Sequence, residues 1–135
     1  MVKLVHNRAK LLACGGRDYG DKEHVFESLD AVVAKLRERG FDGFSLAHGG
    51  ASGADVLAES WAEERGLEVK WYPADWSRGP RAGPERNQRM LEEYGPTHVV
   101  AFPGGRGTED MVRRAEGAGV PVWRVPPRGA PLEGP

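Results

Sequence analysis

Five short apolar runs alternate with helical patterns along this chain, and three of the runs break off into paired glycines. That alternation restricts the fold more than any other property of the sequence. The runs are Lys10–Ala13, Phe44–Ala47, Val69–Tyr72, His98–Phe102 and Pro121–Val125. Between them, apolar residues fall at helical spacing over Lys22–Arg39 (Val25, Leu29, Val32, Leu36), Ala54–Arg65, Pro84–Glu93 and Thr108–Ala118. Gly40, Gly66 and Gly119 sit where helix stops belong. Pro84 sits just inside a start, where its missing N–H costs nothing. Strand, helix, strand repeated in this way predicts right-handed crossovers and a parallel, mostly buried sheet. The expected architecture is a Rossmann-like three-layer α/β domain with a parallel sheet of about five strands over residues 10–125. Residues 1–9 are expected to form an N-terminal arm or edge strand. Residues 126–135, rich in Pro and Gly, read as a disordered tail.

At 135 residues the chain is long enough for one core without staples, and its single cysteine, Cys14, excludes an internal disulfide. Nineteen basic and twenty acidic residues leave a net charge of −1, so no global field draws nucleic acid or a membrane surface. Leu11-Leu12-Ala13-Cys14 imitates a lipoprotein cleavage box, but His6, Asn7, Arg8 and Lys10 occupy the place of an apolar leader. A cytoplasmic protein is expected, without membrane association. His6, His24, His48 and His98 are scattered, and no Cys/His spacing resembles a metal-ligand set. No metal and no required cofactor are expected.

In a parallel α/β sheet, ligands sit outside the carboxyl ends of the strands. The loops at those ends are Gly15-Gly16-Arg17-Asp18, then His48-Gly49-Gly50-Ala51-Ser52-Gly53-Ala54-Asp55. A long stretch with Trp76, Arg78 and Arg81 follows, running into Gly83-Pro84-Glu85-Arg86-Asn87, and the last loop is Pro103-Gly104-Gly105-Arg106-Gly107-Thr108. Glycine lets backbone approach a ligand closely, and the unpaired amides of a first helical turn favour an anion there. Thr108 is the expected N-cap of the last helix. Neither a dinucleotide GxGxxG in register nor a Walker A loop is present.

These four ordered motifs resemble the Smf/DprA–LOG superfamily of Rossmann-like proteins, and within it the small YspA-like members, over nearly all of Leu11–Val125. The resemblance implies a nucleotide or nucleotide-derived phosphate ligand. It also implies a homodimer or higher homo-oligomer, with the third helix near the partner subunit. LOG enzymes hydrolyse the N-glycosidic bond of nucleoside 5'-monophosphates, using the glutamate of PGGxGTxxE and an upstream arginine. Arg86 matches that arginine, but Met111 stands at the glutamate, and a thioether neither accepts a proton nor stabilises an oxocarbenium ion. Glu109 and Asp110 would point elsewhere on the helix. A LOG-like hydrolase is therefore the alternative rather than the leading expectation, with Arg86 and Asp55 its candidate catalytic residues. A DprA-like single-stranded DNA binder is a further alternative. It shares Gly-x-Ala-x-Gly-x-Asp and Arg-Asn-x-Arg, but the near-neutral charge opposes it.

The expected ligand-binding residues are Gly15, Gly16, Arg17, His48, Gly49, Gly50, Ser52, Gly53, Asp55, Arg86, Asn87 and the whole of Pro103–Thr108, namely Pro103, Gly104, Gly105, Arg106, Gly107 and Thr108. Arginine forks suit phosphate oxygens. Asp55 reads either as an acceptor for ribose hydroxyls or as a partner of its own helix dipole. Asn87 bonds either a base edge or a loop carbonyl, and His48 either a ligand or the backbone. Cys14 and Met111 read as core. Trp76 stacks on a base, closes the pocket or anchors its loop.

Overall fold

The computed structural model describes residues 7–132 and 134–135. Five parallel strands, β1 (Arg8–Cys14), β2 (Gly43–His48), β3 (Glu68–Trp71), β4 (His98–Ala101) and β5 (Val122–Arg124), form one sheet in the order β3-β2-β1-β4-β5. The chain builds outward from β1 to β3, then returns to the other side of β1 for β4 and β5. The order reverses between β1 and β4, which places a switch point there. The expected arm over residues 1–9 falls mostly on residues 1–6, outside the described residues, while Arg8 and Ala9 already belong to the central strand.

Helices α1 (Lys22–Glu38) and α2 (Ala54–Glu64) cover one face, and α3 (Ala82–Arg89) and α4 (Arg106–Gly117) cover the other. The pleat of β1 explains both cores. Leu11 and Ala13 point toward Val25, Leu29, Ala58 and Trp61, while Leu12 and Cys14 point toward Met90, Met111, Val112 and Ala115. A strand buried on both faces must be apolar throughout, which is why Leu11-Leu12-Ala13-Cys14 reads as an unbroken run. Asp21 caps α1 by accepting the His24 N–H at 3.1 Å, and Gly40 leaves the helix with φ +97°.

Two segments differ from expectation. The third helix begins at Ala82, behind a 3₁₀ turn (Trp76–Arg81), and ends in a π-helical turn (Met90–Tyr94). Pro84 remains in the first turn, where no intrahelical acceptor is lost. Among its described residues the tail carries no helix or strand, yet it is tied down. Pro126 O meets His24 Nε2 at 2.8 Å, Arg128 pairs with Asp21, and Leu132 packs against the α1/α2 core. Composition missed these anchors because they lie on α1, about a hundred residues away in sequence. Among the described residues, no helix is long and apolar enough to cross a membrane.

Candidate functional site

The glycine loops do meet at the carboxyl edge of the sheet, and hydrogen bonds join them. Phe102 N–H donates to Cys14 O at 2.8 Å and Gly16 N–H to Pro103 O at 2.9 Å, sealing the β4 loop to the β1 loop. Ala54 N–H donates to Gly16 O at 3.1 Å and Ser52 Oγ to Arg17 O at 2.9 Å, bringing in the β2 loop. These contacts account for several glycines. A Cβ at Gly15 would lie 2.6 Å from Ala54 Cβ, and one at Gly104 would strike Thr108 Oγ1 and lie 2.7 Å from Gly16 N. Gly53, at φ +78°, is pressed against the carbonyls of Gly16 and Arg17, and Gly50 lies under the Trp71 indole. Gly105 and Gly107 are different, because a Cβ on either meets nothing within 4 Å.

A cleft of about 480 Å³ opens between these loops and α3. Its walls include Gly15, Gly16 and Arg17 from the β1 loop, Gly49 and Asp55 from β2–α2, and Trp76 from the 3₁₀ turn. Arg86 and Asn87 of α3 form another side, and Gly105, Arg106, Gly107 and Thr108 close it at the start of α4. His48, Gly50, Ser52, Gly53, Pro103 and Gly104, all expected at the ligand, are not wall residues. His48 is buried, and Gly50 N–H donates to its Nδ1 at 3.0 Å. Its Nε2 therefore carries the proton and donates to Glu59 Oε1 on α2 at 2.7 Å.

Gly105, not Thr108, is the N-cap of α4, and no side chain caps that end. Thr108 lies one turn further in, buried, with its hydroxyl turned toward Gly104. The first-turn amides of α4 therefore face the cleft uncapped, the arrangement that favours an anion.

Arg86 lies across Gly49, donating from Nη1 to Gly49 O at 2.5 Å and from Nε to Asn87 Oδ1 at 3.0 Å. Burial holds its guanidinium below the usual arginine range, Arg17 and Arg89 add to that, and Asp55 opposes it. Among the described residues, no hydrogen bond engages its Nη2. Asn87 takes the loop-carbonyl role, donating to Gly107 O at 3.2 Å and to Asp110 Oδ2 at 3.0 Å. Asp55 Oδ2 accepts the Gly49 N–H at 3.1 Å and the Ala51 N–H at 3.2 Å, so it braces its own loop, while Oδ1 is buried without a partner. Burial raises its carboxyl above the usual range, against the pull of those amides and of Arg86.

Met111 is fully buried in the α3/α4 core and away from the cleft. The carboxylate that α4 does present to the cleft is Asp110, which receives Asn87, Arg113 Nη2 at 3.0 Å and Arg114 Nε at 2.8 Å. Burial raises its pKa, but the hydrogen bonds from Asn87 and Arg114 outweigh that and hold it below the usual range. Helical rotation from Met111 set Asp110 aside at the level of sequence. The Asn87/Asp110 pairing across two helices carries no local motif. Cys14 lies at the cleft floor, where burial raises its thiol pKa and keeps it unreactive. Among the described residues, no group of His, Cys, Asp and Glu could hold a metal ion.

Parallel sheet, flanking helices and a cleft at the switch point define a Rossmann-like α/β protein. Residues 9–79 match the YspA, cpYpsA-related SLOG family, and the chain belongs to that family. It is also similar to the "Gene 61 protein" of Mycobacterium phage D29, with 36% identity over 121 residues, covering 84% of this chain and 93% of that protein. The family match takes in β1 to β3 and most of the 3₁₀ turn. Arg86 and the α4 N-terminus lie beyond it.

Proposed function

We propose that this protein binds a nucleotide or nucleotide-derived phosphate ligand in the cleft at the switch point, as a binding or sensing protein. The carrying observation is the uncapped start of α4, whose first turn lines the cleft while Gly105 and Gly107 leave the space before it open. Arg86, with one guanidinium nitrogen uncommitted, supplies fixed positive charge beside it. The buried Oδ1 of Asp55 offers an acceptor for a hydroxyl. A volume of about 480 Å³ falls within the range of small-molecule sites, about 300–1,000 Å³.

Binding without turnover is favoured over LOG-like hydrolysis because Met111 sits in the core and Asp110 is consumed by its three partners. The test is a thermal-shift screen of the purified chain against nucleoside mono-, di- and triphosphates, ADP-ribose and ribose 5-phosphate, with chromatography of each hit. A stabilising ligand recovered intact supports the reading. Release of free base turns the protein into a hydrolase. Gly105→Leu should keep the fold and lose the stabilisation, and unchanged binding would remove the α4 turn from the site.

A further inference from the structure

Trp71, Trp76 and Val56 are the large apolar side chains left exposed among the described residues, and of these Trp76 lines the cleft. Its indole is 53% exposed and presents a flat apolar ring with a polar N–H on the cleft wall. The surrounding turn is built to hold it in place. Asp75 accepts the Ser77 N–H at 3.2 Å, and Glu85 on α3 pairs with Arg78 at 3.2 Å and Arg81 at 3.5 Å. The edge of the indole faces Gly83 on α3, where a Cβ would lie 3.5 Å from Cη2, an ordinary packing distance. The guanidinium of Arg17 lies over the ring, 5.1 Å from its centroid. Arg17 comes from the β1 loop and Trp76 from the turn after β3, so the pair reaches across the cleft between two of its walls.

We infer that Trp76 is the base-recognition element of the cleft and that its contact with Arg17 is a latch that the ligand replaces. A planar nucleotide base stacks on the indole in place of the guanidinium, which is freed to pair with the ligand's anionic part. Guanidinium and base compete for the same π surface, and the cation–π contact keeps the indole from collapsing into the cleft before the ligand arrives. This inference rests on the phosphate-anchoring reading of the α4 turn but adds a separate demand, that a base contribute beyond the sugar phosphate.

The experiment titrates wild type and Trp76→Ala with AMP and with ribose 5-phosphate by calorimetry, and follows tryptophan emission with AMP in wild type and Trp76→Phe. Circular dichroism confirms that both variants are folded. AMP should bind wild type more tightly than ribose 5-phosphate does, and Trp76→Ala should weaken AMP by about 5–150-fold while leaving ribose 5-phosphate unchanged. AMP should alter wild-type emission, and Trp76→Phe should lose most of that change. Equal affinity for AMP in wild type and Trp76→Ala overturns the base-stacking role while leaving phosphate anchoring intact. Equal weakening of both ligands also overturns it, making Trp76 a structural support. Failure of both ligands to bind wild type overturns the anchoring reading, and this inference with it.

Discussion

Two adjacent glycines make the sharpest contrast in the molecule. At Gly104 a methyl group would collide with Thr108 Oγ1 and lie 2.7 Å from Gly16 N, closer than the 3.0 Å that real Cβ atoms keep. Neither obstacle yields easily, since one is a short buried side chain and the other is backbone. Accommodating Gly104→Ala means pushing the β4 loop off the β1 loop. Overpacking of this kind costs about 1–3 kcal/mol. Losing the Gly16–Pro103 hydrogen bond, now 2.9 Å, adds about 1 kcal/mol. For a domain of this size, a total near 3 kcal/mol lowers Tm by roughly 12 °C. Gly105→Ala meets nothing within 4 Å and should stay within about 0.5 kcal/mol of wild type. Urea and thermal unfolding of the pair measure both numbers, with an unchanged urea slope confirming that stability alone moved. If Gly104→Ala melts with wild type, or Gly105→Ala falls as far as its neighbour, loop-on-loop packing is not what requires glycine here.

Three further outcomes are expected. Because burial raises the folded-state pKa of Asp55, its stability contribution is greatest below the ordinary carboxylate pKa and declines as pH rises through the raised value. Asp55→Asn should therefore gain on wild type with increasing pH in urea unfolding, and a gap that shrinks instead would mean the ionised carboxylate is stabilising. Asp110 has the opposite sign, since its lowered pKa gives stability that is present above the ordinary carboxylate range and lost as pH falls through the lowered value. Asp110→Asn should cost about 1–3 kcal/mol at neutral pH, with the gap closing in acid, and a pH-independent gap would refute the charge-based account. Met111→Glu should destabilise by about 3–5 kcal/mol by burying an unpaired carboxylate in the α3/α4 core. The same variant should release no base from AMP, and a folded variant that does release base would show that the helix can present this position to the cleft.

The sheet was legible because parallel strands leave an unmistakable trace. Strands β2, β4 and most of β1 are buried on both faces and read as short, largely apolar runs. The exposed edge strand β3 keeps only Val69 and Trp71 as its signal, and all five observed strands overlap a predicted run. The gathering of the loops at one edge followed from that topology. What each loop residue does was less accessible. Glycine in a loop signifies either close approach to a ligand or close approach to other backbone, and only coordinates separate Gly104 from Gly105. The cap of α4 was misplaced because Thr108 is a good capping type, but two glycines let the helix start two residues earlier. Of the two roles open to His48, the backbone bond is the one seen, from Gly50 N–H, while its pairing with Glu59, five residues into α2, leaves no local trace.

The seam between β1 and β4 has a consequence for how the site comes into being. The β1, β2 and β3 half supplies Arg17, Gly49, Asp55 and Trp76, whereas Arg86 and the α4 turn arrive with the second half of the chain. The hydrogen bonds Phe102–Cys14 and Gly16–Pro103 join segments about ninety residues apart, so neither wall has its neighbour until β4 docks beside β1. During synthesis the cleft is therefore among the last features to be assembled, and a fragment ending at the limit of the family match would hold half of it. For the proposed ligand this means that binding would require completion of the whole domain, and a ligand held across the seam would tie the two halves together.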